Sequence, residues 1–358
     1  MCRYVSKRHN SISNNSNKRD TAAAVTTLSV KIYKNNKMVA ELIIFLISIS
    51  AFSVYGFPFP ATEENRTRRS GGQPKFPYYS QMECGVRAVP HYPHRSGGAT
   101  PKIIGGSTVP YGAYPWQVDI QSFNGLSQTF EHLCGGAVVG DRVIMTAAHC
   151  LRDLKKSQLR MVVGKHHLSG SDSHERTYRV EKVIVHPEFR REGPHSNDIA
   201  LIKVKAISEG GIGFNTYIQP ICLPGIQAKR AETGDWCTVT GWGAQKPEDL
   251  GSLSPELRAA SVPLLDLATC RASNVYGSRQ KILDSMLCAG LLDGGVDACG
   301  GDSGGPLACQ VAGRFELTGI VSWGDGCAKK NKPGVYTRVS HYLPWIFESL
   351  SVLTPNVT

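Results

Sequence analysis

Gly300-Gly301-Asp302-Ser303-Gly304-Gly305-Pro306 is the stretch on which the reading of this chain turns. Crowded glycines let the backbone fold tightly around Ser303 and bring amide N–H groups close to a reacting carbonyl, which suits a nucleophilic serine. Within it, Gly301-Asp302-Ser303-Gly304-Gly305 also satisfies G-x-S-x-G, the nucleophile elbow of α/β-hydrolases. Chain order excludes that fold. There the acid and the histidine follow the nucleophile, whereas His341 is the sole histidine after Ser303, and the strand-to-helix alternation is missing.

Working back from Ser303, two further local words supply the rest of a hydrolytic site. His149 lies in Thr146-Ala147-Ala148-His149-Cys150, where a cysteine can pin the loop, and Asp198 lies in Asn197-Asp198-Ile199-Ala200-Leu201, at the lip of an apolar strand. Acyl transfer without a metal needs a nucleophile, a base, a group that orients the base, and donors for the oxyanion. Singly, each residue has a bland structural explanation. Their combination is what carries information.

The texture around these words is all-β. After Lys102 come short apolar runs broken by Gly, Pro, Asn and Asp: Val118-Asp119-Ile120, Arg142 to Met145, Val180 to Val185, Ile199 to Val204, Cys237 to Trp242, Leu317 to Trp323 and Val335 to Val339. Only Tyr342 to Leu353 has helical spacing, with Leu343, Ile346, Phe347, Leu350 and Leu353 on one face.

Composition sets the context. The formal charge of +11 on 358 residues is concentrated at the front: residues 1–102 carry 15 Lys and Arg against 5 Asp and Glu, and residues 103–358 carry 25 against 24. A nucleic-acid partner is therefore not expected. Eleven cysteines without C-x-x-C pairs read as disulfides in an oxidising compartment rather than as a metal site, and ten of them lie between Cys84 and Cys327. Residues 1–37 read as a basic disordered leader. Residues 38–56, which overlap the apolar stretch Leu42 to Phe59, read as a signal peptide with a small-x-small pattern at Val54-Tyr55-Gly56, or as the signal anchor of a single-pass membrane protein. Translation could start at Met1 or at Met38. Residues 57–102 are a Pro/Gly/Ser-rich pro-segment with a glycosylation sequon at Asn65 and one cysteine, Cys84. The main domain, all-β in texture, follows over 103–358.

His149, Asp198 and Ser303, in that order and with those words around them, resemble the chymotrypsin and trypsin family of serine proteases, over Ile103 to about Leu350. The resemblance implies two six-stranded antiparallel β-barrels with a C-terminal helix. It implies Ser303 as nucleophile, His149 as base and then acid, Asp198 as its orienting carboxylate, and the N–H groups of Gly301 and Ser303 as the oxyanion hole. In Lys102-Ile103-Ile104-Gly105-Gly106 it implies a zymogen activation site, where the freed Ile103 amino group would pair with Asp302. It places Asp297 at the base of the specificity pocket, six residues before the nucleophile, with Gly324 and Gly334 keeping the wall open. Cleavage after Arg or Lys is then expected. Ala298 stands where many relatives have a hydroxyl, which predicts Arg over Lys. His195 is placed to line the neighbouring subsite.

The family template pairs Cys134 with Cys150, Cys237 with Cys309, Cys270 with Cys288 and Cys299 with Cys327. That leaves Cys84 for Cys222, tethering the pro-segment after activation. Two departures matter. Lys165 stands where calcium-binding relatives are acidic, and Pro333 where sodium-dependent ones are aromatic, so no metal and no cofactor is expected. The implied partners are protein substrates, an activating trypsin-like protease and protein protease inhibitors. The alternative is a non-catalytic homologue acting as an adaptor, which usually lacks a triad residue.

Overall fold

A computed structural model describes residues 82–93, 106–206, 210–225, 230–246, 249–277 and 279–354. The leader, the apolar stretch Leu42 to Phe59, Asn65, Lys102 and Ile103 lie outside them. Among the described residues no helix is long and apolar enough to cross a membrane.

Two antiparallel barrels make up the structure. The first is built from β2 (Gln117–Asn124), β3 (Thr129–Val138), β4 (Val143–Thr146), β5 (Leu159–Val163), β6 (Arg176–Val185) and β7 (Ala200–Val204), in the order β2-β3-β4-β7-β6-β5, and closes through the pairing of β2 with β5. The second uses β8 (Trp236–Gly241), β11 (Arg258–Leu265), β12 (Met286–Ala289), β13 (Pro306–Val311), β14 (Arg314–Trp323) and β15 (Gly334–Arg338), and closes through β11 and β8. A short strand β1 (Ser107–Thr108) pairs with β11, and β9 (Ala244–Lys246) forms a hairpin with β10 (Asp249–Leu253).

Closure abolishes free edges, so alternate side chains of each strand face an interior. Val118, Ile120, Met145, Met161, Leu201 and Ile202 are fully buried in the first barrel; Val239, Ala260, Val262, Leu307 and Tyr336 cluster in the second. Burial of each such side chain stabilises the fold by about 1.5–3 kcal/mol. The terminal helix α2 (Leu343–Leu353) follows a four-residue helix α1 (Leu267–Cys270) in chain order and starts with Pro344 in its first turn, where no N–H is needed. Its buried face is Ile346, Ser349, Leu350 and Leu353, with Leu343 and Phe347 half-buried at its margin.

Five disulfides join Cys84–Cys222, Cys134–Cys150, Cys237–Cys309, Cys270–Cys288 and Cys299–Cys327. The first ties residues 82–93 to the barrels. Gly85 donates to Pro220 O (2.8 Å) and accepts from Phe315 N (2.9 Å). The Arg87 guanidinium lies 4.6 Å from the Phe315 ring centre and 5.2 Å from that of Tyr114. Lys165, buried, donates to Glu175 Oε2 (2.9 Å) and to Gly170 O (3.2 Å), so its ammonium engages the oxygens of this loop.

Candidate active site

His149 sits on a short 3-10 turn, Ala148–Leu151, that the Cys134–Cys150 disulfide fastens to β3. Its Nδ1–H donates to Asp198 Oδ2 at 2.8 Å and its backbone N–H to Asp198 Oδ1 at 2.9 Å, so the carboxylate fixes both the ring's tautomer and its position. The Asp198 side chain is almost wholly buried while that of His149 is 29% exposed, which leaves the ring facing the cleft.

Three groups hold Asp198 that sequence reading did not single out for this task. Ser322 Oγ donates to Oδ2 (2.5 Å), Thr337 Oγ1 donates to the backbone carbonyl (2.8 Å), and Tyr342 OH donates to Oδ1 of the preceding Asn197 (3.0 Å). Ser322 and Thr337 come from β14 and β15 of the second barrel, whereas Asp198 adjoins β7 of the first. A buried carboxylate needs such donors to stay ionised.

Ser303 is drawn to the same seam. Its carbonyl accepts from Gly135 N on β3 (2.8 Å). Gly304, with φ of +77°, packs so closely on Thr146 and on the Gly135 carbonyl that a Cβ would not fit. Around the loop, the N–H groups of Asp302, Gly304 and Gly305 bond to Cys299 O, Val321 O and Asp302 O. Those of Gly301 and Ser303 have no intramolecular acceptor among the described residues. Gly301, with φ of +97°, has a backbone conformation that residues with a side chain adopt only at a cost.

Beside Ser303 opens a cavity of about 240 Å³ whose lining includes Asp297, Gly324, Gly334 and Tyr336. Asp297 Oδ2 accepts from Ala328 N (3.0 Å), but Oδ1 has no hydrogen-bond partner among the described residues, and burial pushes its carboxyl up to about 7. A Cβ on Gly334 would lie 2.8 Å from that free oxygen and obstruct it. His195 stacks on Trp323 at the cavity rim, with ring centres 4.9 Å apart and planes 16° from parallel.

Asp302, fully buried, accepts from Gly243 N (2.7 Å) and Cys299 N (2.9 Å); burial raises its carboxyl above the usual range. Behind it His132 bridges Asp119 Oδ1 (2.6 Å) and the carbonyl of Gly301 (2.8 Å). Burial opposes charging of His132, but the hydrogen bond and charge of Asp119 outweigh it and the ring's pKa is raised. His132 thus connects the first barrel's interior to the glycine of the Ser303 loop.

A double β-barrel with a His–Asp couple and a glycine-framed serine on the same barrel seam is the architecture of the chymotrypsin and trypsin fold. The family model for Trypsin matches residues 103–346, and this chain belongs to the trypsin family. It is 39% identical over 279 residues to urokinase-type plasminogen activator of Gallus gallus, covering 76% of this chain and 61% of that protein. To serine proteinase stubble of Drosophila melanogaster it is 39% identical over 277 residues, covering 75% and 33% respectively. A dog (Canis lupus familiaris) protein, hepatocyte growth factor activator serine proteases, matches at 39% over 247 residues, covering 69% and 36%. The chain thus spans between a third and two thirds of the length of these relatives.

Proposed function

We propose that this chain is the zymogen of a trypsin-like serine endopeptidase that cleaves peptide bonds after Arg, and less well after Lys. The observation that carries this reading is the unpaired Asp297 oxygen at the base of a cavity that opens beside Ser303. A guanidinium would supply the missing partner, and an apolar side chain would leave it buried and unpaired.

In this reading Ser303 Oγ attacks the scissile carbonyl as His149 Nε2 takes its proton. The oxyanion is received by the free N–H groups of Gly301 and Ser303. His149, its charge balanced by Asp198, returns the proton to the leaving amine, and water then hydrolyses the acyl-enzyme by the reverse sequence. Cleavage after Lys102 would free the Ile103 ammonium to pair with Asp302, a buried carboxylate with raised pKa that gains most from a cation. The segment around Cys84 would stay attached, with residues 1–37 as leader and 38–56 as a secretory signal or anchor, giving an extracellular or tethered enzyme. Two of the relatives are named as activators of other proteins, which favours a role in an extracellular proteolytic cascade.

The test is hydrolysis of matched Arg, Lys and Phe chromogenic peptides before and after limited cleavage at Lys102, with Ser303→Ala as control. Arg turnover that appears only on cleavage and vanishes in the variant supports the reading. A cleaved, folded protein silent on all three peptides would overturn it in favour of an adaptor.

A further inference from the structure

On the far side of the nucleophile loop, a strand-like contact joins the two barrels. Leu168 N donates to Pro255 O (2.8 Å), and the carbonyl of His166 accepts from Leu257 N (2.8 Å) and from Trp242 Nε1 (2.8 Å). Three side chains converge there, His166 and His167 from the first barrel and Glu256 from the segment leading into β11, with one ligand-capable atom from each lying within 4.8 Å of the others.

Their hydrogen bonding is incomplete in a particular way. The Nδ1 of His167 lies 2.8 Å from Asp172 Oδ1, and Asp172 Oδ2 also takes the backbone N–H groups of His166 (2.7 Å) and His167 (3.0 Å). With its proton on Nδ1, His167 presents the lone pair of Nε2 to Glu256 Oε1, 3.5 Å away. Two acceptors then face each other, an arrangement that a cation placed between them would stabilise. His166 is buried, with 7% exposure, and its Nδ1 has no hydrogen-bond partner among the described residues.

From this geometry we infer a divalent transition-metal site, of the class that takes Zn²⁺, formed by His166, His167 and Glu256. Two imidazoles and one carboxylate are a ligand set that zinc accepts, with metal–ligand distances of about 2.0–2.2 Å that put neighbouring ligand atoms roughly 3.3–3.5 Å apart. The His167–Glu256 pair already has that spacing, and small side-chain rotations bring in His166. Asp172 is the outer carboxylate that orients His167 and raises its basicity, as such carboxylates do for metal-bound histidines. Nearby, Lys165 is neutralised by Glu175, so Glu256 and Asp172 give the pocket a net negative charge that favours a dication. A metal here would staple the first barrel to the second beside Trp242, whose neighbour Gly243 donates to Asp302.

The full chain carrying Ser303→Ala, stripped with chelator, is titrated with Zn²⁺ by calorimetry and with Co²⁺ by visible absorption, and its melting temperature is followed in parallel. The expected result is one site per chain, Co²⁺ bands of a nitrogen–oxygen ligand set, and a rise in melting temperature on loading. His167→Gln should lower affinity at least 100-fold. Asp172→Asn, which keeps the backbone hydrogen bonds, should lower it about 10- to 100-fold. Glu256→Gln, at a half-exposed side chain that the fold does not need, should weaken binding while leaving the metal-free melting temperature unchanged. Binding that survives both His167→Gln and Glu256→Gln would place the metal elsewhere, for example at His149 and His195, and would overturn the inference. Absence of binding to the parent would overturn it too, and would make the cation between His167 and Glu256 a proton.

Discussion

Gly304 and Thr146 meet across the seam of the two barrels so closely that a methyl group on Gly304 would lie well inside 3.0 Å of the Thr146 hydroxyl, and 2.6 Å from the backbone carbonyl of Gly135. Thr146 Oγ1 is itself fixed by donation to that carbonyl (2.8 Å), so neither neighbour can retreat. Gly304 also has a φ of +77°, a region that side-chain-bearing residues enter at a cost of roughly 1–2 kcal/mol. Gly304→Ala should therefore destabilise the protein by about 2–4 kcal/mol. Displacing Ser303 by about 1 Å should lower kcat/KM on an Arg peptide about 100-fold. Denaturant unfolding and steady-state kinetics check both, and wild-type values for either would show that the loop has slack.

Asp297 makes ligand binding depend on pH. Burial holds its carboxyl near 7, while an amidinium ligand binds the ionised form. Affinity for benzamidine in the activated protein should rise with pH and level off above about 7, falling by up to about tenfold per unit below it. Because protonated His149 would also repel the ligand, the profile is measured in His149→Ala as well, where the dependence should persist. Asp297→Asn should bind weakly and without pH dependence. A profile that is flat from pH 5 to 8 in His149→Ala, a window of about 3 units around neutrality, would remove Asp297 as the titrating group.

How much of this was legible beforehand varied with the range over which a residue acts. Ser303, His149 and Asp198 announce themselves through their immediate neighbours, and the apolar runs located β2, β4, β6, β7, β8, β14 and β15. The link of His132 to Asp119 spans β2 and β3, and no local word encodes strand register. The one available signal was Asp119 itself, a charge inside the apolar run Val118-Asp119-Ile120, which had to find a partner once buried. Strand β11 was hidden by Pro263. In the structure that proline stands where β11 stops pairing with β8 and starts pairing with β12, so a missing donor does little harm. Ser322 carries no local signal of its role, because its service to Asp198 depends on a contact 124 residues away in sequence.

Glu316 predicts a pH-dependent weakness. It is 1% exposed, both its carboxylate oxygens lack hydrogen-bond partners among the described residues, and it lines a cavity of about 350 Å³ next to Arg230. Desolvation pushes its carboxyl up to about 7 against the attraction of Arg230. An acid with a raised folded-state pKa binds its proton more tightly in the native state. Stability is then highest below the unfolded pKa, falls as pH rises towards about 7, and stays at the lower level above it. Glu316→Gln should accordingly stabilise the protein at pH 8 and do little at pH 4. Water in the adjoining cavity screens part of the effect, so about 1–2 kcal/mol is expected at pH 8. Equal effects of the variant at both pH values would show that Glu316 is not the titrating group.

The pro-segment should behave as a docked part of the mature enzyme rather than as a leash. Gly85 completes backbone hydrogen bonds with Pro220 and Phe315, and Arg314 donates to Cys84 O (2.8 Å). Arg87 is wedged between the rings of Phe315 and Tyr114 while it donates to His91 O (2.5 Å), and Tyr114 OH lies 3.0 Å from His91 Nδ1. These contacts act on both barrels, since Tyr114 leads into β2 and Phe315 lies in β14. Protein cleaved after Lys102 should migrate as one species until it is reduced, and then as two. With the disulfide intact, Arg87→Ala should lower the stability of the cleaved form by about 1–2 kcal/mol through loss of a desolvated cation–π contact. With Cys84→Ser and Cys222→Ser, the cleaved segment should remain bound at high protein concentration and dissociate on dilution, because the docking contacts persist without the covalent link. Adding Arg87→Ala to that pair should shift dissociation to higher concentration, read by size-exclusion chromatography. If the unlinked segment is lost equally with and without Arg87, the disulfide alone holds it and the contacts of Arg87 contribute nothing to retention.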